Sequence, residues 1–152
     1  YISAVKKAIL SYKDKNLSAD TLYFGGGTPS LLSKSQISSL LENILPLTTD
    51  KTEISFECNC DDINTDFLYF LKDVGINRLS VGVQTFHKDS LECIKRRASQ
   101  EQTIHSIKIL SDFQKTLKLH LLAYLKHHKY SQEDYQMAKD AGFVKGFEFV
   151  RW

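Results

Sequence analysis

Three consecutive glycines, Gly25, Gly26 and Gly27, stand between an apolar run, Thr21-Leu22-Tyr23-Phe24, and Leu31-Leu32-Ser33, where a helical pattern begins. The apolar run reads as a buried strand, so the glycines mark a strand-to-helix corner, where α/β proteins bind ligands. Glycine accepts positive φ and has no Cβ, so a triple glycine lets bare backbone N–H and C=O groups approach a bound molecule closely. A tight turn is the simpler alternative. One glycine satisfies most turns, and three followed by Thr28-Pro29 exceed what chain reversal requires, which favours a ligand loop.

Strand and helix patterns alternate along the rest of the chain. Ile2, Val5, Ile9 and Tyr12 fall at helical spacing over residues 1–14. Ser33-Lys34-Ser35-Gln36 has the form of a capping box, Ile37, Leu40, Leu41, Ile44 and Leu45 supply one apolar stripe, and Pro46 stops that helix. Glu53–Cys58 alternates like a strand, Asp66–Val74 like a helix ended by Gly75, and Arg78–Gln84 like a third strand. Gly82 inside that strand predicts a close approach of backbone or ligand. A short helix over 88–96, a longer one from about Glu101 to Phe113 entered through a second capping-box form at Ser99, a strand over Leu117–Tyr124, a helix opened by Ser131 and closed by Gly142, and a strand over Phe147–Val150 complete the series. Connections this short make right-handed βαβ units, so the sheet is expected to be parallel, with its ligand site at the strand carboxyl ends. No linker, low-complexity segment or repeat interrupts the chain, which predicts one domain over residues 1–152.

Composition narrows the function. The 152 residues are 42% apolar and 25% charged, ordinary for a globular domain or a piece of a larger one. A net charge of +2 with scattered basic residues excludes a strong nucleic-acid footprint, and Lys95-Arg96-Arg97 and Lys126-His127-His128-Lys129 read as solvated faces. No stretch approaches the roughly 20 apolar residues of a membrane span. The first residues lack signal-peptide order and an initiating Met, so the chain is expected to start inside a longer protein. Three cysteines, Cys58, Cys60 and Cys93, lack the spacing of a disulfide framework; this favours a reducing, cytoplasmic setting, although an organelle-targeting segment upstream stays open.

The residues just after each strand form a chemically coherent set. The glycine loop offers backbone donors and acceptors, Thr28 a hydroxyl, Glu57 a carboxylate, Asn59 and Gln84 amides, and Arg96 a guanidinium. A carboxylate suits a ribose diol and a guanidinium suits a ligand carboxylate, so the set could hold an amino acid joined to a nucleoside. A phosphate ligand fits worse, because the loop has neither the Lys-Ser/Thr of a Walker A motif nor G-x-G-x-x-G spacing. Taken singly, Glu57 reads equally as an exposed strand-end charge, Gln84 as a loop hydrogen-bonder and Arg96 as part of a solvated face; their joint pattern argues for a pocket.

Four blocks carry a resemblance: Tyr23–Leu32 (YFGGGTPSLL), Glu57-Cys58-Asn59, Gly75–Phe86 (GINRLSVGVQTF) and Arg96. In order and spacing, over about residues 1–114, they resemble the radical S-adenosylmethionine domain of oxygen-independent coproporphyrinogen III oxidases and their relatives. Thr-Pro-Ser after the glycines and Gln-Thr-Phe after the third strand look more like the haem chaperone HemW branch. The resemblance implies a partial (β/α)6 barrel, incomplete at its N-terminus, in tetrapyrrole metabolism, with S-adenosylmethionine as cofactor and haem or a porphyrinogen as candidate ligands. It implies that Gly25, Gly26 and Gly27 meet the cofactor's amino group, with Thr28 beside them. Glu57 would take the ribose, Gln84 would line the pocket, and Arg96 would pair with the methionyl carboxylate.

Two departures limit it. The family's Cys-x-x-x-Cys-x-x-Cys loop, which carries a [4Fe-4S] cluster, is absent, so the resemblance places the cluster ligands upstream and leaves this chain inactive by itself. Cys58, Cys60 and Cys93 read as plain thiols, and Cys60 stands where the family has proline. Residues 115–152 also lack the family's Asp-Leu-x-x-Gly-Leu-Pro strand. Their His120, His127 and His128 invite a metal or haem reading, but adjacent histidines diverge on any regular element and are expected at the surface. A degenerate α/β scaffold without cofactor is the remaining alternative.

Overall fold

The computed structural model describes residues 1–12, 15, 17–113, 118–124, 131–142 and 147–150. Among these the elements run α1 (Ile2–Leu10), β1 (Ala19–Phe24), α2 (Lys34–Ile44), β2 (Thr48–Asn59), α3 (Thr65–Asp73), β3 (Arg78–Gln84), α4 (Lys88–Cys93), α5 (Gln100–Phe113), β4 (Lys118–Tyr124), α6 (Ser131–Asp140) and β5 (Phe147–Val150).

Local caps fix several of these limits. At α2 the Gln36 N–H donates to Ser33 Oγ at 3.2 Å and the Ser33 N–H to the Gln36 side-chain oxygen at 2.9 Å, a complete capping box. Ser99 and Gln102 repeat it at the start of α5 at 3.2 and 2.8 Å. Gly75 ends α3 with φ +95° while the Ile76 N–H reaches back to the Leu71 carbonyl at 3.0 Å, a Schellman stop.

Three boundaries differ from the pattern reading. Helix α1 stops at Leu10 and buries none of its side chains, so the apolar spacing through Tyr12 is not used in the core. Strand β2 starts at Thr48, five residues before the visible alternation, because Thr49, Asp50 and Lys51 are exposed and leave no hydrophobic signal. Helix α4 ends at Cys93, short of residue 96, because Lys95 turns left-handed.

The five strands pair in the order β1-β2-β3-β4-β5, all parallel. Sequential order with helical crossovers winds the sheet as part of a (β/α) barrel, as expected. Because side chains alternate across a strand, the register divides the sheet into two chemistries. Leu22, Phe24, Ile54, Phe56, Cys58, Leu79, Val81 and Val83 share one face and pack with Ile37 and Leu41 of α2, Leu68 and Leu71 of α3, and Ile107 and Leu110 of α5. Phe56, fully buried, sits between Phe24 and Phe67 at ring-centroid separations of 5.6 and 6.3 Å, burial that contributes about 1.5–3 kcal/mol. The other face is polar. It carries Tyr23, Ser55, Glu57, Asn59, Arg78, Ser80 and Gly82, with Arg78 paired to Glu53 at 2.8 Å. Among the described residues no helix is long and apolar enough to cross a membrane.

Asn77 locks the pairing of β2 with β3. Its side-chain oxygen accepts the Ile54 N–H at 2.8 Å, its side-chain nitrogen donates to the Thr52 carbonyl at 2.9 Å, and its own N–H donates to the Ile54 carbonyl at 3.1 Å. Asn77→Ala removes the two side-chain bonds and is expected to lower unfolding free energy by about 1–2 kcal/mol in chemical denaturation.

Candidate functional site

The three glycines are each required by local geometry. A Cβ on Gly25 would stand 2.4 Å from Tyr23 Cε1 and 3.3 Å from the Glu57 carboxyl carbon, so a side chain there would push the Tyr23 ring from its place against Glu57. Gly26 and Gly27 lie at φ +80° and +64°, the left-handed region that glycine enters without cost. The chain then meets Thr28 in an extended conformation and makes a short 3-10 turn over Pro29–Leu31, with Pro29 buried. Ser30 ties this turn to the end of β2: its hydroxyl donates to Asp62 Oδ2 at 2.5 Å and accepts the Asn59 N–H at 3.4 Å.

Glu57 stands opposite the loop on β2. Its Oε1 accepts the Tyr23 hydroxyl at 2.6 Å and its Oε2 the Gly26 N–H at 3.3 Å. Burial, and then the bond to Glu57, push the Tyr23 phenol above its ordinary value, which keeps it a donor. Gln84 ends β3 at φ +67° and is buried; its Nε2 would come within 2.9 Å of a Cβ at residue 82, so the close approach predicted for Gly82 is made by this side chain.

Arg96 arrives by a different device. After α4, Lys95 takes φ +54°, the Lys95 N–H bonds the Glu92 carbonyl at 3.0 Å and the Arg96 N–H bonds Leu91 at 2.9 Å. This is a Schellman motif with lysine in the position usually held by glycine, and it reverses the chain so that Arg96 points back to the sheet. Its Nη1 donates to Asn59 Oδ1 at 3.0 Å. The three basic residues therefore do not form one solvated face: Arg97 is exposed and paired with Asp61 at 2.8 Å, whereas Arg96 is half-buried against the strand ends.

Gly27, Thr28, Glu57, Asn59, Gln84 and Arg96 surround one cleft of about 150 Å³, with Ser80 on its floor. Gly25 and Gly26 lie beyond it, on the wall of an adjoining groove of about 650 Å³ between α1 and α2, which shares Gly27, Thr28 and Pro29 with the cleft. Five of the seven residues expected at the site thus converge, and the other two border the neighbouring space. Sequence reasoning did not assign roles to Tyr23 and Ser80. The signal was present in the pairing, since Ser80 lies directly opposite Glu57 and Tyr23 precedes the glycines by two residues on the same face.

With this geometry in hand, comparison with known proteins is decisive. Residues 2–141 match the Radical SAM superfamily. The chain belongs to the radical SAM superfamily. It is 37% identical over 111 residues to the haem chaperone HemW of Bacillus subtilis, covering 70% of this chain and 29% of that protein. It is 37% identical over 108 residues to the oxygen-independent coproporphyrinogen III oxidase of Salmonella typhimurium, covering 66% of this chain and 23% of that protein. The chain therefore spans under a third of these curated relatives. Its fold superposes on the Escherichia coli coproporphyrinogen III oxidase HemN, a radical SAM enzyme, with a TM-score of 0.79 at 24% identity, covering 98% of this chain and 36% of that one.

The radical SAM superfamily works with S-adenosylmethionine and a [4Fe-4S] cluster, and the two groups fare differently here. Cys58 and Cys60 are buried, and they do not share a strand face, because β2 ends at Asn59 and Cys60 begins a 3-10 turn. Burial, reinforced by Asp62, pushes the Cys58 thiol far up; burial, reinforced by Asp61 against the opposing Arg96, pushes Cys60 up to about 12. Neutral buried thiols separated from the exposed Cys93 do not fit a cluster, and among the described residues no group of three His, Cys, Asp or Glu could hold a metal ion. The His120 side chain, His127 and His128 lie outside the described residues.

Site-resolved alkylation under native conditions is expected to label Cys93 and to spare Cys58 and Cys60 until denaturant is added. For Cys60 the stabilisation from keeping the thiol neutral is complete below its ordinary value of 9.0 and is lost as pH rises through about 12, and Cys58 contributes in the same direction. Stability measured against pH should therefore fall above 9.0, and Cys60→Ala should flatten that fall.

Proposed function

We propose that this chain supplies the S-adenosylmethionine-binding part of a radical SAM protein of haem metabolism. The observation that carries the reading is the convergence of a carboxylate, a guanidinium and an amide on one cleft edged by bare backbone. Glu57 is suited to the ribose hydroxyls, Arg96 to the methionyl carboxylate through its planar donor fork, and Gln84 to the space between them. The glycine loop would present backbone to the amino group, with the Thr28 hydroxyl beside it. Glu57 and Arg96 line the same cleft of about 150 Å³, which opens at Gly27 and Thr28 onto the adjoining groove of about 650 Å³, so a ligand spanning both has room to extend. When bound, S-adenosylmethionine supplies the sulfonium on which the superfamily's radical chemistry begins. This chain's residues would bind and orient it; the cluster's ligands would come from another part of the protein.

Two outcomes for the whole protein follow from the relatives. Oxidation of a porphyrinogen is supported by the likeness to coproporphyrinogen III oxidase, and haem transfer by the likeness to HemW and by the Thr-Pro-Ser and Gln-Thr-Phe strings. Haem titration of the full-length protein set against turnover of coproporphyrinogen III separates them.

Calorimetry of the full-length protein with S-adenosylmethionine tests the binding reading. Loss of a charge-assisted bond costs about 1.5–3 kcal/mol, so Arg96→Ala is expected to weaken binding about 10- to 100-fold, and Glu57→Gln about tenfold. Unchanged affinity in Arg96→Ala would remove that residue from the site, and absence of binding to the wild type would favour a degenerate scaffold.

A further inference from the structure

Gln84 is held in a conformation that its own chemistry disfavours. Besides φ +67°, the Thr85 N–H donates to the Val83 carbonyl at 2.9 Å, closing a three-residue γ-turn around Gln84. The positive-φ form of this turn is rare and strained, and such strain persists only where the surroundings over-determine it. The turn coincides with a register shift between β3 and β4: Gly82 pairs with Leu122 and Gln84 with Ala123. Its consequence is local. The Gln84 side chain folds back over Gly82, toward Asn59 and Arg96, instead of continuing along the strand.

What holds the turn comes from α6, the helix that follows β4 in the chain. Asp134, in the first turn of α6, is fully buried, and its Oδ1 accepts the Phe86 N–H at 2.7 Å and the Thr85 hydroxyl at 3.0 Å. The Thr85 hydroxyl in turn accepts the His87 N–H at 3.2 Å, and His87 Nε2 lies 3.9 Å from the same carboxylate oxygen. One carboxylate therefore fixes the three residues that follow Gln84. A buried carboxylate is costly unless hydrogen-bonded, and its place near the N-terminus of α6 offsets part of that cost. A residue serving only to dock α6 on the sheet could be apolar.

We propose that Asp134 is a positioning residue for the cofactor cleft: by gripping Thr85, Phe86 and His87 it holds the strained turn that aims Gln84 across Gly82. This rests on the cleft being the S-adenosylmethionine site. Asp134 itself is not among the residues that line the cleft.

Two measurements on the full-length protein test it. In the absence of ligand, Asp134→Ala is expected to accelerate amide exchange at Thr85–His87 by about tenfold or more while leaving Leu79 and Val81 protected. In calorimetry with S-adenosylmethionine, Asp134→Ala and Gln84→Ala should each weaken binding about tenfold, and the double variant no further, because one acts through the other. Asp134→Asn keeps an oxygen for the Phe86 N–H and should restore affinity to within about threefold of wild type. If Asp134→Ala does not fold, Thr85→Val, which removes one of the two bonds to Asp134 and with it the acceptor of the His87 N–H, takes its place with a loss of about threefold. Unchanged affinity despite faster exchange, losses that multiply, or a turn that exchanges as slowly as before would each overturn the proposal. A wild type that does not bind S-adenosylmethionine sinks the reading of the cleft instead, and the exchange result alone then decides whether Asp134 holds the turn.

Discussion

The in-register pairing of β2 with β3 is the constraint on which the rest of the molecule depends. It sets Glu57 beside Ser80 and Asn59 beside Gly82 on the polar face, while Phe56 and Cys58 alternate with them into the core beside Leu79 and Val81. A slip of one residue would send Glu57 among the phenylalanines and Phe56 into the cleft, so the buried face enforces the register that the site requires. Asn77, bonded to Thr52 and Ile54, secures the same register at the strand's start. Stability and site geometry are thus one arrangement seen from its two faces.

Around this pairing, the parts of the cleft are placed by backbone that departs from regular structure. Gly26 and Gly27 turn left-handed after β1, Gln84 after β3 and Lys95 after α4. Two of the four are not glycine, and those two govern the side chains with the most specific chemistry, Gln84 and Arg96. Strain in such positions is commonly found at functional sites, where surrounding contacts sustain it. Here the contacts are a Schellman motif for Arg96 and the grip of Asp134 for Gln84.

These differences explain what could be read from residues alone. The glycine loop, the capping boxes at Ser33 and Ser99 and the stop at Gly75 are encoded within a few positions, and the structure has each of them. Thr49, Asp50 and Lys51 of β2 are exposed and leave no periodic trace, and the apolar spacing of α1 faces a groove instead of a core. The reversal that turns Arg96 inward has a lysine where glycine would have marked it. Asp134 is farther from recognition still, because its partners lie 48 and 49 residues away and nothing in its own neighbourhood signals them. Cys58 lies on the strand and Cys60 on the 3-10 turn that follows it, and both are buried in the same core. The match to the radical SAM superfamily continues through α6, past the point where the oxidase-like strings stop.

In the proposed site Glu57 and Arg96 hold the two ends of one cofactor across the glycine loop. A crystal structure of the full-length protein with S-adenosylmethionine tests it most directly. The expected result has the methionyl carboxylate within hydrogen-bond distance of the Arg96 guanidinium and a ribose hydroxyl on Glu57, sharing or displacing the bond from Tyr23. Cofactor bound elsewhere, with Glu57 still engaged only by Tyr23 and Gly26 and Arg96 only by Asn59, would contradict it.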